Sequence, residues 1–409
     1  MKRILLLLFI LFAIGQSCYA QTKPALAGKP YVILISFDGF RWDYLNRGIT
    51  PNLEKIRTDG VSAQSLRPAF PSKTFPNHIS IITGMYTENH GIISNYFMNY
   101  DKNDWYGMSD TTKIRDGKWY LGEAFWETAE RQGIKTASYF WPGSELHLDY
   151  RRPTYRVLYD HDKPYEERVE GVIDWLKLPY NERPHFITLY FHDTDSYGHD
   201  YGTESPEIDE SIKRLDNIAG QLMKNITDIG MKDSVNVIFV SDHGMTNISK
   251  DKSINIENMI SQYKCRFMDD GPFIQIDPPA DKLMDVYEIL KSNESHYKVY
   301  LKKDIPDYYH YNKNPFIYSI VAIADIGWSL ISNRKSDWLN KAKGNHGYDN
   351  NHLDMHGILI ADGPSFKDGY KTGTLWNVDI YPLLCKIFNI YPRSNIDGQL
   401  ERIGFILKE

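Results

Sequence analysis

Val32-Ile33-Leu34-Ile35-Ser36-Phe37-Asp38 is the stretch that decides the fold: six residues, nearly all apolar, running into an acid. The run is too continuous to alternate, and it is rich in the residues of strands buried on both faces. The pattern occurs twice more. Phe186 to Phe191 leads to Asp193 and Asp195, and Val235 to Val240 leads to Asp242. Strands of this kind belong to a mostly parallel sheet flanked by helices, so the chain reads as α/β. Such sheets bind ligands at the carboxyl ends of their strands. If the three strands are neighbours, their acids converge on one rim and repel one another unless cations compensate. Histidines follow two of the acids, in Asp195-Ser196-Tyr197-Gly198-His199 and Asp242-His243.

The surrounding sequence supplies the crossovers. Thr50-Pro51 starts a helix over Asn52 to Thr58. A second helix is expected over Trp119 to Gln132, stopped by Gly133 before a strand from Lys135 to Phe140. Ile208, Ile212, Leu215, Ile218, Leu222 and Ile226 recur at spacings of three and four, which predicts an amphipathic helix over Glu207 to Asp228. That helix links two acid-bearing strands as a β-α-β crossover, which requires them to be parallel. From about 265 to 336 the texture changes to short mixed strands around a helix near Asp281 to Lys291, an α+β insertion. A strand over Asp354 to Ala361 and a helix over about Val378 to Phe388 close the chain.

Residues 1–20 read as an export signal: Lys2 and Arg3, an apolar run from Ile4 to Ile14, and Ala20 as the cleavage residue before Gln21. Residues 21–409 are then the catalytic domain, periplasmic or secreted. A second reading places cleavage before Cys18 and anchors an outer-membrane lipoprotein through it. No later segment has the roughly 18 consecutive apolar residues of a membrane helix. Cys265 and Cys385 are too few for a cysteine-stapled scaffold. The net charge of -6, without a basic stripe, argues against a nucleic-acid polymer as partner.

Asp38, Asp195, His199, Asp242, His243 and a histidine from Gly344-Asn345-His346-Gly347-Tyr348-Asp349-Asn350 form a nitrogen and oxygen ligand set without thiolate, suited to zinc or a similar divalent ion. Six ligands imply two ions, and paired ions suit displacement at phosphorus. The candidate nucleophile is Thr74, in Lys73-Thr74-Phe75-Pro76-Asn77-His78, placed at a helix N-terminus that favours an anion. The alternative is a threonine that merely caps the helix, and Ser72 and Thr83 are rival nucleophiles.

These motifs, in the order Phe37-Asp38-Gly39-Phe40-Arg41, Lys73 to His78, Asp195 to His199, Ser241-Asp242-His243-Gly244-Met245 and His346 to Asn350, resemble the nucleotide pyrophosphatase/phosphodiesterase family of the alkaline phosphatase superfamily. The resemblance spans nearly all of the chain after the export signal. It implies an alkaline-phosphatase-like core holding two zinc ions, one on Asp38, Thr74, Asp242 and His243, the other on Asp195, His199 and His346. It further implies Thr74 as nucleophile, a phospho-threonine intermediate, and Asn95 as donor to a phosphate oxygen. His356 is the rival to His346 and is taken as structural. Phe75 and Tyr190 match positions that hold a nucleotide base, with Leu121, Trp141 and Tyr159 nearby. Leu121 stands where some relatives carry lysine, which implies broad use of nucleotides or other small phosphodiesters. A phospholipid or glycerophosphodiester hydrolase on the same scaffold, or a metal-stabilised binding protein without turnover, are the rival readings.

Overall fold

The computed structural model describes residues 28–333 and 337–409, so the export signal expected at 1–20, and Cys18 with it, lie outside the described residues. The strand Tyr31–Phe37, every residue of it buried, is the axis of the molecule. It pairs in parallel with Phe186–Phe191 on one side and with Val235–Val240 on the other. The three acid-tipped strands are therefore neighbours, with Asp38 central. They belong to an eight-stranded sheet. Thr136–Tyr139 and Tyr155–Val157 extend it in parallel beyond Phe186–Phe191.

Burial on both faces explains the continuous apolar runs. Ile33, Ile35 and Phe37 pack to one side with Ile208, Ile212 and Leu215 of the helix Pro206–Asp228. Val32 and Leu34 pack to the other with Ile81, Leu383 and Leu384, from the helices Thr74–Thr83 and Ile380–Phe388. The helix Pro206–Asp228 begins where Ser205 Oγ accepts from the Ile208 N–H at 3.2 Å. It closes the crossover between Phe186–Phe191 and Val235–Val240, with Tyr31–Phe37 lying between these two strands.

Two elements depart from the sequence reading. The helix expected from Trp119 is Phe125–Arg131, because Glu127 Oε1 accepts from the Ala124 N–H and starts it there. Trp119 instead ends a 3-10 turn and is buried in a separate aromatic cluster. The strand expected from Asp354 is Leu359–Asp362, and it runs antiparallel to Val235–Val240. Its antiparallel direction was not visible in its composition.

A second, four-stranded sheet joins Arg266–Met268, Phe273–Asp277, Ile320–Ala324 and Tyr297–Leu301, all antiparallel, with the helix Leu283–Ser292 beside Tyr297–Leu301. Cys265 and Cys385 are free thiols. Among the described residues no helix is long and apolar enough to cross a membrane.

Candidate active site

The carboxyl ends of the three central strands bring Asp38, Asp195 and Asp242 together. Gly39 makes the approach feasible: its φ is +66°, and a Cβ there would lie 2.8 Å from the Asp195 Cα. Its N–H donates to Asp242 Oδ1 at 3.3 Å. Asp195 and His199 lie four residues apart on the helix Asp193–Tyr201, and so share one face. His346 arrives from the loop after Gly344–Asn345, which pairs with Thr246–Asn247 just beyond His243.

Three histidines share one hydrogen-bonding pattern. Nδ1 of His199 lies 2.9 Å from the Gly344 carbonyl, Nδ1 of His243 2.8 Å from that of Gly244, and Nδ1 of His346 2.8 Å from that of Ser72. A carbonyl only accepts, so each Nδ1 carries a proton, and in the neutral ring, the form that binds a metal, each Nε2 presents a lone pair. Those lone pairs face carboxylates or each other. His199 Nε2 and His346 Nε2 are 3.2 Å apart, and they lie 3.4 and 3.5 Å from Asp195 Oδ1. His243 Nε2 is 3.1 Å from Asp242 Oδ2 and 3.4 Å from Asp38 Oδ1.

Asp38 Oδ1, Asp195 Oδ1 and Asp242 Oδ2 are buried atoms with no hydrogen-bond donor. Acceptors facing acceptors in a buried site are costly without a cation between them. Burial, followed by the charges of Asp242 and Asp195, pushes the Asp38 carboxyl well above the usual carboxylate range. Burial, with His243 and His199 adjoining, keeps His346 neutral. The residues fit divalent cations: Asp195, His199 and His346 form one ligand group, and Asp38, Asp242 and His243 meet beside it. His78 also lies near Asp38 and Asp242, but both its nitrogens are engaged, with the Thr74 carbonyl at 2.9 Å and with Ser36 Oγ at 2.9 Å.

Thr74 is the first residue of its helix, while Lys73 holds the cap position without a side-chain capping bond. The Thr74 hydroxyl lies 3.3 Å from His243 Nε2, and donates to it when that ring is neutral. It is thus directed at the ligand cluster and does not cap the helix. Its rivals are occupied: Ser72 Oγ donates to the Tyr348 carbonyl and accepts from the Gly347 N–H, and Thr83 Oγ1 donates to the Ile79 carbonyl. Asn95 Oδ1 accepts from the Phe75 N–H at 3.0 Å, which leaves the amide NH2 as its donor. His356 is structural, bonded to Ser65 Oγ and to the Asn350 carbonyl.

A cavity of about 280 Å³ opens beside Thr74, lined in part by Asp38, Asp195, Phe75, Trp141, Tyr159 and Tyr190. Tyr190 has a second contact, since its hydroxyl donates to Asp38 Oδ2 at 2.6 Å and orients that carboxylate. Leu121 does not line this cavity. Its N–H is held by the His90 carbonyl and its side chain lies against Gly91, 62% exposed. Asp193, the extra acid of its strand end, pairs with Arg214 and accepts from Tyr165. Met108, His161 and His192 line the cavity without having been singled out. His192, directly after the strand Phe186–Phe191, was open to the same strand-end argument as the acids; the loop residues Met108 and His161 gave no signal.

The family description "Type I phosphodiesterase / nucleotide pyrophosphatase" matches residues 32–349. A bis(5'-adenosyl)-triphosphatase of Xenopus laevis is 36% identical over 386 residues, covering 94% of this chain and 83% of the relative. Human ectonucleotide pyrophosphatase/phosphodiesterase family member 5 is 35% identical over 392 residues, with 95% and 80% covered. Human family member 1 is 36% identical over 396 residues; the match covers 94% of this chain and only 42% of that larger protein. A solved structure of murine ectonucleotide pyrophosphatase/phosphodiesterase 5, an inactive threonine-to-alanine variant in complex with AMP, superposes with a TM-score of 0.87 at 32% identity, over 93% of this chain and 100% of that one. The fold is thus alkaline-phosphatase-like, and the chain belongs to the type I phosphodiesterase/nucleotide pyrophosphatase family of hydrolases.

Proposed function

We propose that the chain is an exported, zinc-dependent enzyme that hydrolyses nucleotide phosphodiester and pyrophosphate bonds to nucleoside 5'-monophosphates through a phospho-threonine intermediate. The observation that carries this reading is one cluster of three donorless carboxylate oxygens and three histidine Nε2 atoms, with the Thr74 hydroxyl 3.3 Å from one of them, His243 Nε2. Asp38, Thr74, Asp242 and His243 would hold one zinc, and Asp195, His199 and His346 the other. Bound there, zinc supplies Lewis acidity that neutralises charge developing on the phosphoryl oxygens.

The chain's own groups do the rest. Thr74 Oγ1 attacks phosphorus after its hydroxyl proton is released to solvent, the bond to the leaving oxygen breaks, and the nucleoside phosphoryl group is held on Thr74. Water then displaces Thr74 Oγ1, and two in-line steps retain configuration at phosphorus. The Asn95 NH2 donates to a non-bridging oxygen, favouring the charge that builds there. Of the pair expected to hold the base, Tyr190 is drawn to Asp38 through its hydroxyl, so Tyr159 takes its place and flanks the base with Phe75 in the cavity. The bis(5'-adenosyl)-triphosphatase relative and the AMP-bound murine relative support a nucleotide in this cavity. The inactivity of the murine threonine-to-alanine variant supports a threonine nucleophile. The word "ecto" in the relatives' names supports export.

Zinc content and hydrolysis of p-nitrophenyl thymidine monophosphate and p-nitrophenyl phosphate, with and without chelator, test the proposal. The expected result is zinc-dependent turnover of the diester far faster than of the monoester. Faster monoester turnover, or diester turnover indifferent to chelation, would overturn it.

A further inference from the structure

One carboxylate from the second sheet reaches both segments that build the proposed reaction centre. Asp269 directly follows the strand Arg266–Met268, and its side chain is only 3% exposed. Its Oδ1 accepts from Lys73 Nζ at 2.6 Å and from Ser94 Oγ at 2.8 Å. Lys73 precedes Thr74, and Ser94 precedes Asn95. Because Asn95 Oδ1 accepts from the Phe75 N–H at 3.0 Å, these bonds close a ring that runs from Thr74 through Phe75, Asn95, Ser94, Asp269 and Lys73 back to Thr74.

The ring is braced from the strand Phe273–Asp277 of the same sheet. Gln275 Nε2 lies 3.4 Å from Asp269 Oδ2 and donates to the Tyr311 hydroxyl at 3.1 Å, which in turn donates to the Ile93 carbonyl at 2.9 Å. Gln275, Tyr311 and Ile93 are all fully buried. Lys73 Nζ lies 4.9 Å from the centre of the Phe273 ring, a second contact with that strand. Neither the conformation nor the burial of Asp269 favours stability. Its φ of +62° is in the left-handed region, where a residue with a Cβ is strained, and a buried ion pair gains little over apolar packing of the same space. Strain of this kind concentrates where a geometry has to be held.

We propose that Asp269 is a positioning residue for phosphoryl transfer, fixing the Asn95 amide relative to the Thr74 hydroxyl so that donor and nucleophile meet the same phosphoryl group. This role rests on the reading of Thr74 as nucleophile and Asn95 as phosphate donor. The hydrogen bonds of Asp269 go to Lys73, Ser94 and Gln275, not to a proposed zinc ligand or to the residues that flank the base. Donor and nucleophile need their exact separation in the transition state, so losing the carboxylate lowers kcat and spares KM and zinc content.

Steady-state kinetics of the zinc-loaded full chain on p-nitrophenyl thymidine monophosphate, with zinc content measured on the same preparations, test it. Asp269→Gly, which tolerates the positive φ but removes both bonds, should lower kcat by about 30-fold or more, with KM within about threefold and both zinc ions bound. Asp269→Asn, which keeps the shape and an oxygen for Ser94, should lose only about three- to tenfold in kcat at constant KM, and it decides alone if the glycine variant does not fold. A double-mutant cycle separates positioning from general support of the fold. In an Asn95→Ala background Asp269→Gly should cost less than about threefold, because no amide remains to be positioned. The same loss in both backgrounds, a fall in zinc content, or unchanged kcat in Asp269→Asn would overturn the positioning role alone. Near-normal turnover by Thr74→Ala with both zinc ions bound would overturn the nucleophile reading, and the positioning role with it.

Discussion

The histidines of the sheet rim and those packed in the layer behind it differ in one respect, the fate of the second ring nitrogen. At the rim, His199, His243 and His346 each give Nδ1–H to a backbone carbonyl and turn Nε2 toward carboxylates or one another. Behind it, His78, His90 and His356 have both nitrogens engaged. His90, for example, meets Ser80 Oγ at 3.0 Å and accepts from the Ile92 N–H at 3.2 Å. His78 shows that position alone does not make a ligand. It lies one turn from Thr74 and 3.4 Å from Asp242, yet has no lone pair left to offer. A histidine ligand is recognised by its uncommitted nitrogen, oriented by the bond at the other one.

The contrast is most exposed to failure by His243→Ala. Turnover of p-nitrophenyl thymidine monophosphate should fall on the order of 10³-fold, with zinc content reduced, while His356→Ala should keep both zinc ions and turnover per folded molecule within a few-fold. Equal zinc loss in the two variants would break the distinction. The next largest effect lies in the layer behind the rim. His90→Ala, which leaves a buried cavity and unpaired partners, should cost about 2–4 kcal/mol in urea unfolding without lowering zinc content.

The same histidine gives a pH signature. Burial pushes His90 down to about 3 from the ordinary 6.5. Below pH 6.5 the unfolded chain takes up a proton that the folded protein refuses, so stability present at neutral pH is lost progressively as pH falls toward 3. At pH 5 the loss from this residue is about 2 kcal/mol. His90→Asn should therefore show a flatter dependence than wild type between pH 7 and 5 in chemical denaturation; an unchanged slope would contradict the assignment. The smallest effect belongs to Tyr190→Phe, which removes the 2.6 Å bond to Asp38 Oδ2. It should weaken zinc binding about tenfold, as read by competition with a chelating dye.

Much of the rim was legible in the sequence because a strand buried on both faces must be apolar throughout, and the acid that ends it stands out. The three strands, their shared direction and the helix Pro206–Asp228 follow from that and from the spacing of Ile208 to Ile226. The direction of Leu359–Asp362 was not legible, since strand composition carries no polarity. The early start expected for the helix Phe125–Arg131 fails because Trp119 is buried by tertiary packing that no local pattern reports. Leu121, placed by resemblance near the base, lies outside the cavity because its backbone is tied to His90. The cavity walls come from separate loops, so Met108 and His161 meet only once the fold brings them together.

Thr74 is where the rim acts, and Thr74→Ala is the most direct test of the account. Zinc content and diester turnover measured on one preparation should show both zinc ions retained, since six other ligands remain, and turnover lowered on the order of 10³-fold or more. Near-normal turnover with both zinc ions bound would contradict the assignment of Thr74 as nucleophile.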